Sequence, residues 1–104
     1  MTVYIAGPMK GIKRMNREAF YDAQDMLEDC GYKVLNPAKL PMGMPATAYM
    51  PICIQMVEQA DVVALLDGWE RSEGVKIEKA YAEYQGKRVV TVAWLIGREA
   101  SEWD

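Results

Sequence analysis

One stretch of the chain, residues 67–74, concentrates side chains that can do chemistry: three carboxylates, a serine hydroxyl, a tryptophan and two glycines. Glu78 follows four residues later among mostly apolar neighbours. A helix that begins at the end of this stretch would carry Glu78 one turn in and aim it back toward the preceding strand. An inward-facing carboxylate at that place is a candidate catalytic group. The alternative is an exposed glutamate paired with Lys76 or Lys79.

Two further segments follow predicted strands. Residues 7–11, Gly-Pro-Met-Lys-Gly, join a strand to a helix, and their backbone amides suit an anion that Lys10 would help to hold. The pattern is neither the dinucleotide-binding glycine motif nor a P-loop, so an ordinary turn with solvated charges is the alternative. The pair Asn36-Pro37 ends a second short strand.

Composition removes several kinds of chemistry. The 104 residues include no histidine, which excludes Ser-His-Asp and Cys-His catalysis and imidazole zinc sites. Cys30 and Cys53 are too few for a thiolate zinc cage, and both are expected to be free thiols. A net charge of −3 argues against binding to nucleic acid polymers or anionic membranes. With no candidate bilayer span or signal peptide, we expect a cytoplasmic protein without metal or cofactor.

The elements that must position these segments alternate between strand and helix. Strands are predicted at residues 2–6, 32–35, 61–67 and 88–94, and helices at 16–30, 49–59 and 75–84. The last two strands are nearly continuously apolar, as in a parallel sheet covered on both faces. The order predicts one domain over residues 1–104, a small doubly wound α/β fold, flavodoxin- or Rossmann-like, with about four parallel strands and helices on both faces. Ligands bind such folds beyond the carboxyl ends of the strands, where all three segments lie.

Local signals define some boundaries. Asn16 is expected to cap the first helix, and Gly31 to end it. Residues 38–48, which include Met42 and Met44, are predicted to form a long loop of the kind that often serves as a lid.

The same residues, taken in order, resemble the nucleoside 2-deoxyribosyltransferase-like family over residues 2–93. The likeness is greatest to a small domain-of-unknown-function branch from phage and bacterial genomes, and extends to 2′-deoxynucleoside 5′-phosphate N-hydrolases. The motifs that carry it are Tyr4-Ile5-Ala6-Gly7-Pro8-Met9, Asn36-Pro37, Ala60-Asp61-Val62-Val63 and Gly68-Trp69-Glu70-x-Ser72-x-Gly74-x-x-x-Glu78-x-x-x-Ala82.

The resemblance implies cleavage of the N-glycosidic bond of a nucleotide or deoxynucleotide. In it Glu78 corresponds to the nucleophile, Tyr4 to the group that orients it, and Ser72 to a phosphate contact. The residues expected to bind the substrate are Gly7, Met9, Lys10, Asn36, Trp69, Ser72 and Gly74. The resemblance also implies a homodimer or larger homo-oligomer, and Trp94, Leu95, Ile96 and Trp103 are expected to be exposed for such a contact.

One position departs from the family pattern. Cys53 stands where the family has an aspartate, and a thiol is a poor replacement for a carboxylic acid. Either Asp67 or Glu70 substitutes for that group, or activity is reduced, or the protein binds nucleotides without cleaving them. Base exchange between deoxynucleosides is a further alternative. A flavodoxin-like electron carrier is disfavoured because the first turn lacks a Ser/Thr-rich phosphate loop.

Overall fold

The computed structural model describes residues 1–103, which form a four-stranded sheet and four α-helices. The strands are β1 (Thr2–Ala6), β2 (Lys33–Leu35), β3 (Val62–Leu65) and β4 (Arg88–Thr91). The helices are α1 (Arg17–Asp29), α2 (Ala46–Gln59), α3 (Glu73–Tyr84) and α4 (Val92–Ile96). No helix within residues 1–103 is long and apolar enough to cross a membrane.

All four strands are parallel, in the order β2-β1-β3-β4. The pleat of β1 sends Val3 and Ile5 to the face covered by α1 and α4, and Tyr4 and Ala6 to the face covered by α2 and α3. The chain moves outward from β1 to β2 and then returns past β1 to β3, so its direction reverses between β1 and β3. The predicted doubly wound α/β fold is therefore confirmed.

The fourth strand is shorter than predicted. The sequence predicts a buried strand over residues 88–94, but the strand ends at Thr91, whose Oγ1 accepts a hydrogen bond from the amide of Trp94 (3.1 Å) and caps α4. In α4, Trp94 is 39% exposed whereas Leu95 is completely buried in the core. The prediction that Leu95 is exposed for a subunit contact was wrong, because helical periodicity turns it inward. The side chain of Trp103 lies outside the described part of the chain.

The predicted loop over residues 38–48 is also shorter than expected. A one-turn 3₁₀ helix, Pro37–Lys39, occupies its start, and α2 begins at Ala46 rather than at residue 49. Because α2 begins at Ala46, Pro51 is its sixth residue and lies inside the helix, where it lacks the amide proton that would bond to the preceding turn. Residues 40–45 remain as a short connection, which crosses the carboxyl edge of the sheet.

Candidate active site

A cavity of about 260 Å³ opens at the carboxyl ends of the strands. Three chain segments form its wall, and each follows a different strand. The connection after β1 contributes Gly7, Met9 and Lys10; the one after β2 contributes Pro37, Leu40 and Met42; and the N-terminal turns of α3 contribute Ser72, Gly74 and Glu78. The cavity therefore lies beside the reversal between β1 and β3, where doubly wound folds bind ligands.

Glu78 is a buried carboxylate in the cavity wall, with only 6% of its surface exposed. The hydroxyl of Tyr4, on β1, donates a hydrogen bond to its Oε2 (2.8 Å). Burial raises the pKa of Glu78 from 4.5 to about 7, and hydrogen bonds from Tyr4 and Cys53 oppose that rise. The carboxyl group therefore changes charge near neutral pH, which is the range required of a catalytic group that acts there.

The partners of Glu78 are weak acids that keep their protons. Burial is the main cause that raises the pKa of the Tyr4 hydroxyl well above 10, and the charge of Glu78 adds to it. Burial likewise raises the pKa of the Cys53 thiol, on α2, to about 11. Both groups are thus neutral hydrogen-bond donors at neutral pH, and neither repels an ionised Glu78.

The N-terminus of α3 supplies a polar end to the cavity. The Oγ of Ser72 accepts a hydrogen bond from the amide of Val75 (3.2 Å), which caps the helix and leaves the hydroxyl proton free to donate elsewhere. The turn after β1 lies close by, and Gly7 is packed so tightly that an added Cβ would stand 2.7 Å from the side chain of Leu66. Backbone amides, a hydroxyl and Lys10 together suit an anionic group.

Sequence reasoning missed two residues of the cavity wall, Arg17 and Tyr49. Arg17, the first residue of α1, lines the cavity and donates from Nη2 to the carbonyl of Leu40 (3.1 Å). The hydroxyl of Tyr49 donates to the carbonyl of Pro41 (2.6 Å) and accepts from the amide of Met44 (3.2 Å). The connection over residues 40–45 is therefore held by two cavity-lining residues, Arg17 from a distant part of the sequence and Tyr49 from the start of α2.

A strained turn precedes Arg17. Arg14, Met15 and Asn16 all have left-handed backbone conformations, with φ of 53°, 55° and 62°. Asn16 does not cap α1 with its side chain as predicted; its Nδ2 instead donates to the carbonyl of Pro8 (2.9 Å) and holds the turn. Strain of this kind persists only where surrounding contacts fix it, and it is frequent at ligand sites.

Apart from Tyr4, which contacts Glu78 from β1, three of the residues predicted to act at the site lie outside the cavity wall. Asp67 is exposed to solvent. Asn36 is buried and supports the loop after β2, donating to Oε1 of Gln24 and accepting from the amide of Ala38, both at 2.9 Å. Trp69 packs against the core beneath α3, with the ammonium of Lys79 5.7 Å from its ring centroid. The structure thus gives Asn36 and Trp69 supporting contacts and does not bring the three into the cavity.

The predicted residues Gly7, Met9, Lys10, Ser72, Gly74 and Glu78 do meet in the cavity, with Tyr4 directly behind Glu78. Among residues 1–103, no group of three His, Cys, Asp or Glu side chains is arranged to hold a metal ion.

The protein is thus a doubly wound α/β domain with a buried carboxylate, Glu78, beside the point where the strand order reverses. The chain belongs to the family described as Domain of unknown function (DUF4406), whose model matches residues 1–91. No curated protein matches the sequence. The expected resemblance to a family with a domain of unknown function is thereby confirmed.

Two solved structures share the fold. A 2-desoxiribosyltransferase from Leishmania mexicana superposes with a TM-score of 0.70 at 21% identity, over 86% of this chain and 62% of that enzyme. The CMP N-glycosidase BcmB from Clostridium botulinum superposes with a TM-score of 0.62 at 20% identity, over 86% of this chain and 67% of that enzyme. The chain therefore spans less than two thirds of the Leishmania enzyme, and both likenesses establish the fold.

Proposed function

We propose that the protein cleaves the N-glycosidic bond of a nucleoside or deoxynucleoside 5′-monophosphate, with Glu78 as nucleophile. The observation that carries this proposal is the buried Glu78 carboxylate, hydrogen-bonded to Tyr4 at 2.8 Å in the wall of a cavity at the strand ends. The names of the two enzymes that share the fold support the same bond as the target.

The chemistry requires two displacements at the anomeric carbon of the sugar. An ionised Oε of Glu78 forms a bond to that carbon while the bond to the base breaks, and the electron pair goes to the base nitrogen, which takes a proton from water. Water then attacks the same carbon, releases the Glu78 carboxylate and gives up a proton. Tyr4 orients the carboxylate by its hydrogen bond throughout.

The shape and polarity of the cavity support a mononucleotide as substrate. A volume of about 260 Å³ lies just below the usual range for sites that hold drug-sized molecules, which is close to the size of a single nucleotide. Ser72, the N-terminus of α3 and Lys10 form the end that suits the 5′-phosphate. Glu78 lies four residues beyond Gly74 along α3, at the place where the sugar would follow.

The test is incubation of the pure protein with ribo- and deoxyribonucleoside 5′-monophosphates, with free base measured by chromatography. We expect base release by the wild type and none above background from Glu78→Gln, which keeps the size and hydrogen bonding of the side chain. Glu83→Gln, an exposed carboxylate on the same helix, is the matched control and should retain full activity. Equal release by wild type and Glu78→Gln would refute the mechanism.

Base exchange is the second candidate, favoured by the name of the Leishmania enzyme. A new nucleotide formed only when a second base is supplied would identify it. The third candidate, a binding or sensing module, would show thermal stabilisation by a nucleotide that stays intact. We also propose a cytoplasmic homo-oligomer with one domain, which sedimentation analysis and limited proteolysis can test.

A further inference from the structure

Arg17 brings an unmatched set of hydrogen-bond donors to the cavity. Its guanidinium carries five N–H donors and no acceptor. Within residues 1–103, the carbonyl of Leu40 is its hydrogen-bond partner, and that contact uses one donor of Nη2. The side chain is half-buried in a wall made largely of apolar groups, including Leu40, Pro41 and Met42. Because the parallel N–H groups of the guanidinium lie among apolar side chains, they favour a ligand with two adjacent hydrogen-bond acceptors.

Arg17 is bonded to a different part of the cavity wall from the part that carries Ser72. Leu40, which holds Arg17, follows β2, whereas Ser72 follows β3, and β1 runs between them. The carboxyl ends of β2 and β3 are two strand spacings, about 10 Å, apart. Tyr4, on β1, binds Glu78 between the two ends. A nucleotide with its phosphate at Ser72 and its sugar at Glu78 therefore extends its base toward Arg17.

We propose that Arg17 determines base specificity by donating two parallel hydrogen bonds to the base edge, which favours cytosine over uracil and guanine over adenine. This inference rests on the proposed function for the orientation of the nucleotide. Cytosine presents N3 and O2 as adjacent acceptors, and guanine presents O6 and N7. Uracil places an N–H donor between its carbonyl groups, and adenine places its amino donor beside both N1 and N7. In either case a hydrogen-bond donor of the base would face the N–H donors of the guanidinium, which is unfavourable.

The turn that precedes Arg17 supports this role. Three consecutive left-handed residues and the bond from Asn16 to the carbonyl of Pro8 fix the point at which α1 begins. The Leu40 carbonyl then fixes the far end of the Arg17 side chain. The Arg17 side chain is thus held at its backbone and at its guanidinium before a ligand arrives, and preorganisation of this kind strengthens discrimination between similar ligands.

The experiment compares bases within pairs of equal ring size. The kcat/KM for base release is measured with CMP and UMP, and with GMP and AMP, for the wild type, Arg17→Met and Arg17→Lys. Methionine keeps an unbranched stem and removes every donor, whereas lysine keeps the charge and removes the fork. Arg14→Met is the matched control, because Arg14 lies in the same turn, exposed and paired with Glu18.

We expect the wild type to prefer CMP over UMP and GMP over AMP by about tenfold or more, as one good bidentate contact provides. Both variants of Arg17 should bring these ratios close to one, and Arg14→Met should leave them unchanged. An Arg17 that only tethers the loop through Leu40 would slow all four substrates equally, and ratios that survive in Arg17→Met would overturn the inference. Ratios retained by Arg17→Lys would show a charge contact and overturn it too.

Failure of the proposed function gives a different result. If the wild type releases no base, calorimetric binding of the same four nucleotides measures the ratios directly, and the same changes in the variants are expected. Equal affinities for all four nucleotides in the wild type would overturn the base-reading role while leaving nucleotide binding intact. Binding of none of the four would overturn both proposals.

Discussion

Replacement of Glu78 by glutamine should make the stability of the protein less sensitive to pH. The pKa of this carboxyl is about 7 in the folded chain and ordinarily 4.5. Below pH 4.5 the carboxyl is protonated in both the folded and the unfolded chain, so it does not make the free energy of unfolding depend on pH. Between pH 4.5 and 7 the unfolded chain loses the proton while the folded chain keeps it, so the free energy of unfolding falls as pH rises. At roughly 1.4 kcal/mol per unit of pKa, about 3 kcal/mol of stability is lost by pH 8.

Urea unfolding of wild type and Glu78→Gln from pH 4 to pH 8.5 measures this effect, since carboxylates common to both proteins cancel in the difference. Relative to the wild type, Glu78→Gln should gain about 3 kcal/mol between the two ends of the range. The control Glu83→Gln loses only an exposed ion pair with Lys79 and should change by no more than about 0.5 kcal/mol. A difference between wild type and Glu78→Gln that stays flat with pH would refute the argument from burial.

Three further predictions concern residues around the cavity. In the wild type, the rate of base release should rise with pH around pH 7, as Glu78 ionises. Tyr4→Phe removes a hydrogen bond that lowers the pKa of Glu78. The midpoint of that rise should therefore move up by about one pH unit. Asn16→Ala loses the hydrogen bond to Pro8 and keeps a positive φ, so its free energy of unfolding in urea should be about 1–2 kcal/mol lower than that of the wild type. Asn16→Gly should show a smaller decrease, because glycine adopts a positive φ without strain. Gly7→Ala should lower the free energy of unfolding by about 1–3 kcal/mol, because its Cβ would stand 2.7 Å from the side chain of Leu66. In the control Gly97→Ala the new Cβ meets open space, so the free energy of unfolding should change by no more than about 0.5 kcal/mol. Equal losses in the two variants would contradict the packing argument.

The sheet was predictable because its strands have simple local causes. The apolar run of β3 is buried on both faces, and the prediction of residues 61–67 contained the observed strand Val62–Leu65. β4 is less simple, since an apolar run that continues past Thr91 fits a buried helix as well as a strand. The hydroxyl of Thr91 decides between them by capping α4, and Leu95 then completes the core on the α1 face.

The site was predictable on the side where one local segment carries it. Ser72, Gly74 and Glu78 lie within seven residues, and helical geometry alone brings the carboxylate back to the strand end. Asn36 has the right residue type in the right turn, yet its amide is used within the fold by Gln24 and Ala38. Residue type cannot separate these two uses of a polar side chain, since both satisfy buried hydrogen-bonding groups.

The β2 side of the cavity depends on contacts that no local pattern contains. Arg17 is a charged residue at the start of a helix, where a solvent-exposed side chain is expected. It becomes part of the cavity wall because its guanidinium bonds to the carbonyl of Leu40, twenty-three residues later. Tyr49 likewise gains its role from Pro41 and Met44 across a turn. Such side chains depend on one another for their positions, so a change at one should alter what the others present to a ligand. If Arg17 recognises the base, specificity depends on the part of the site that is hardest to predict from the sequence, whereas the proposed nucleophile lies in the part that is easiest to predict.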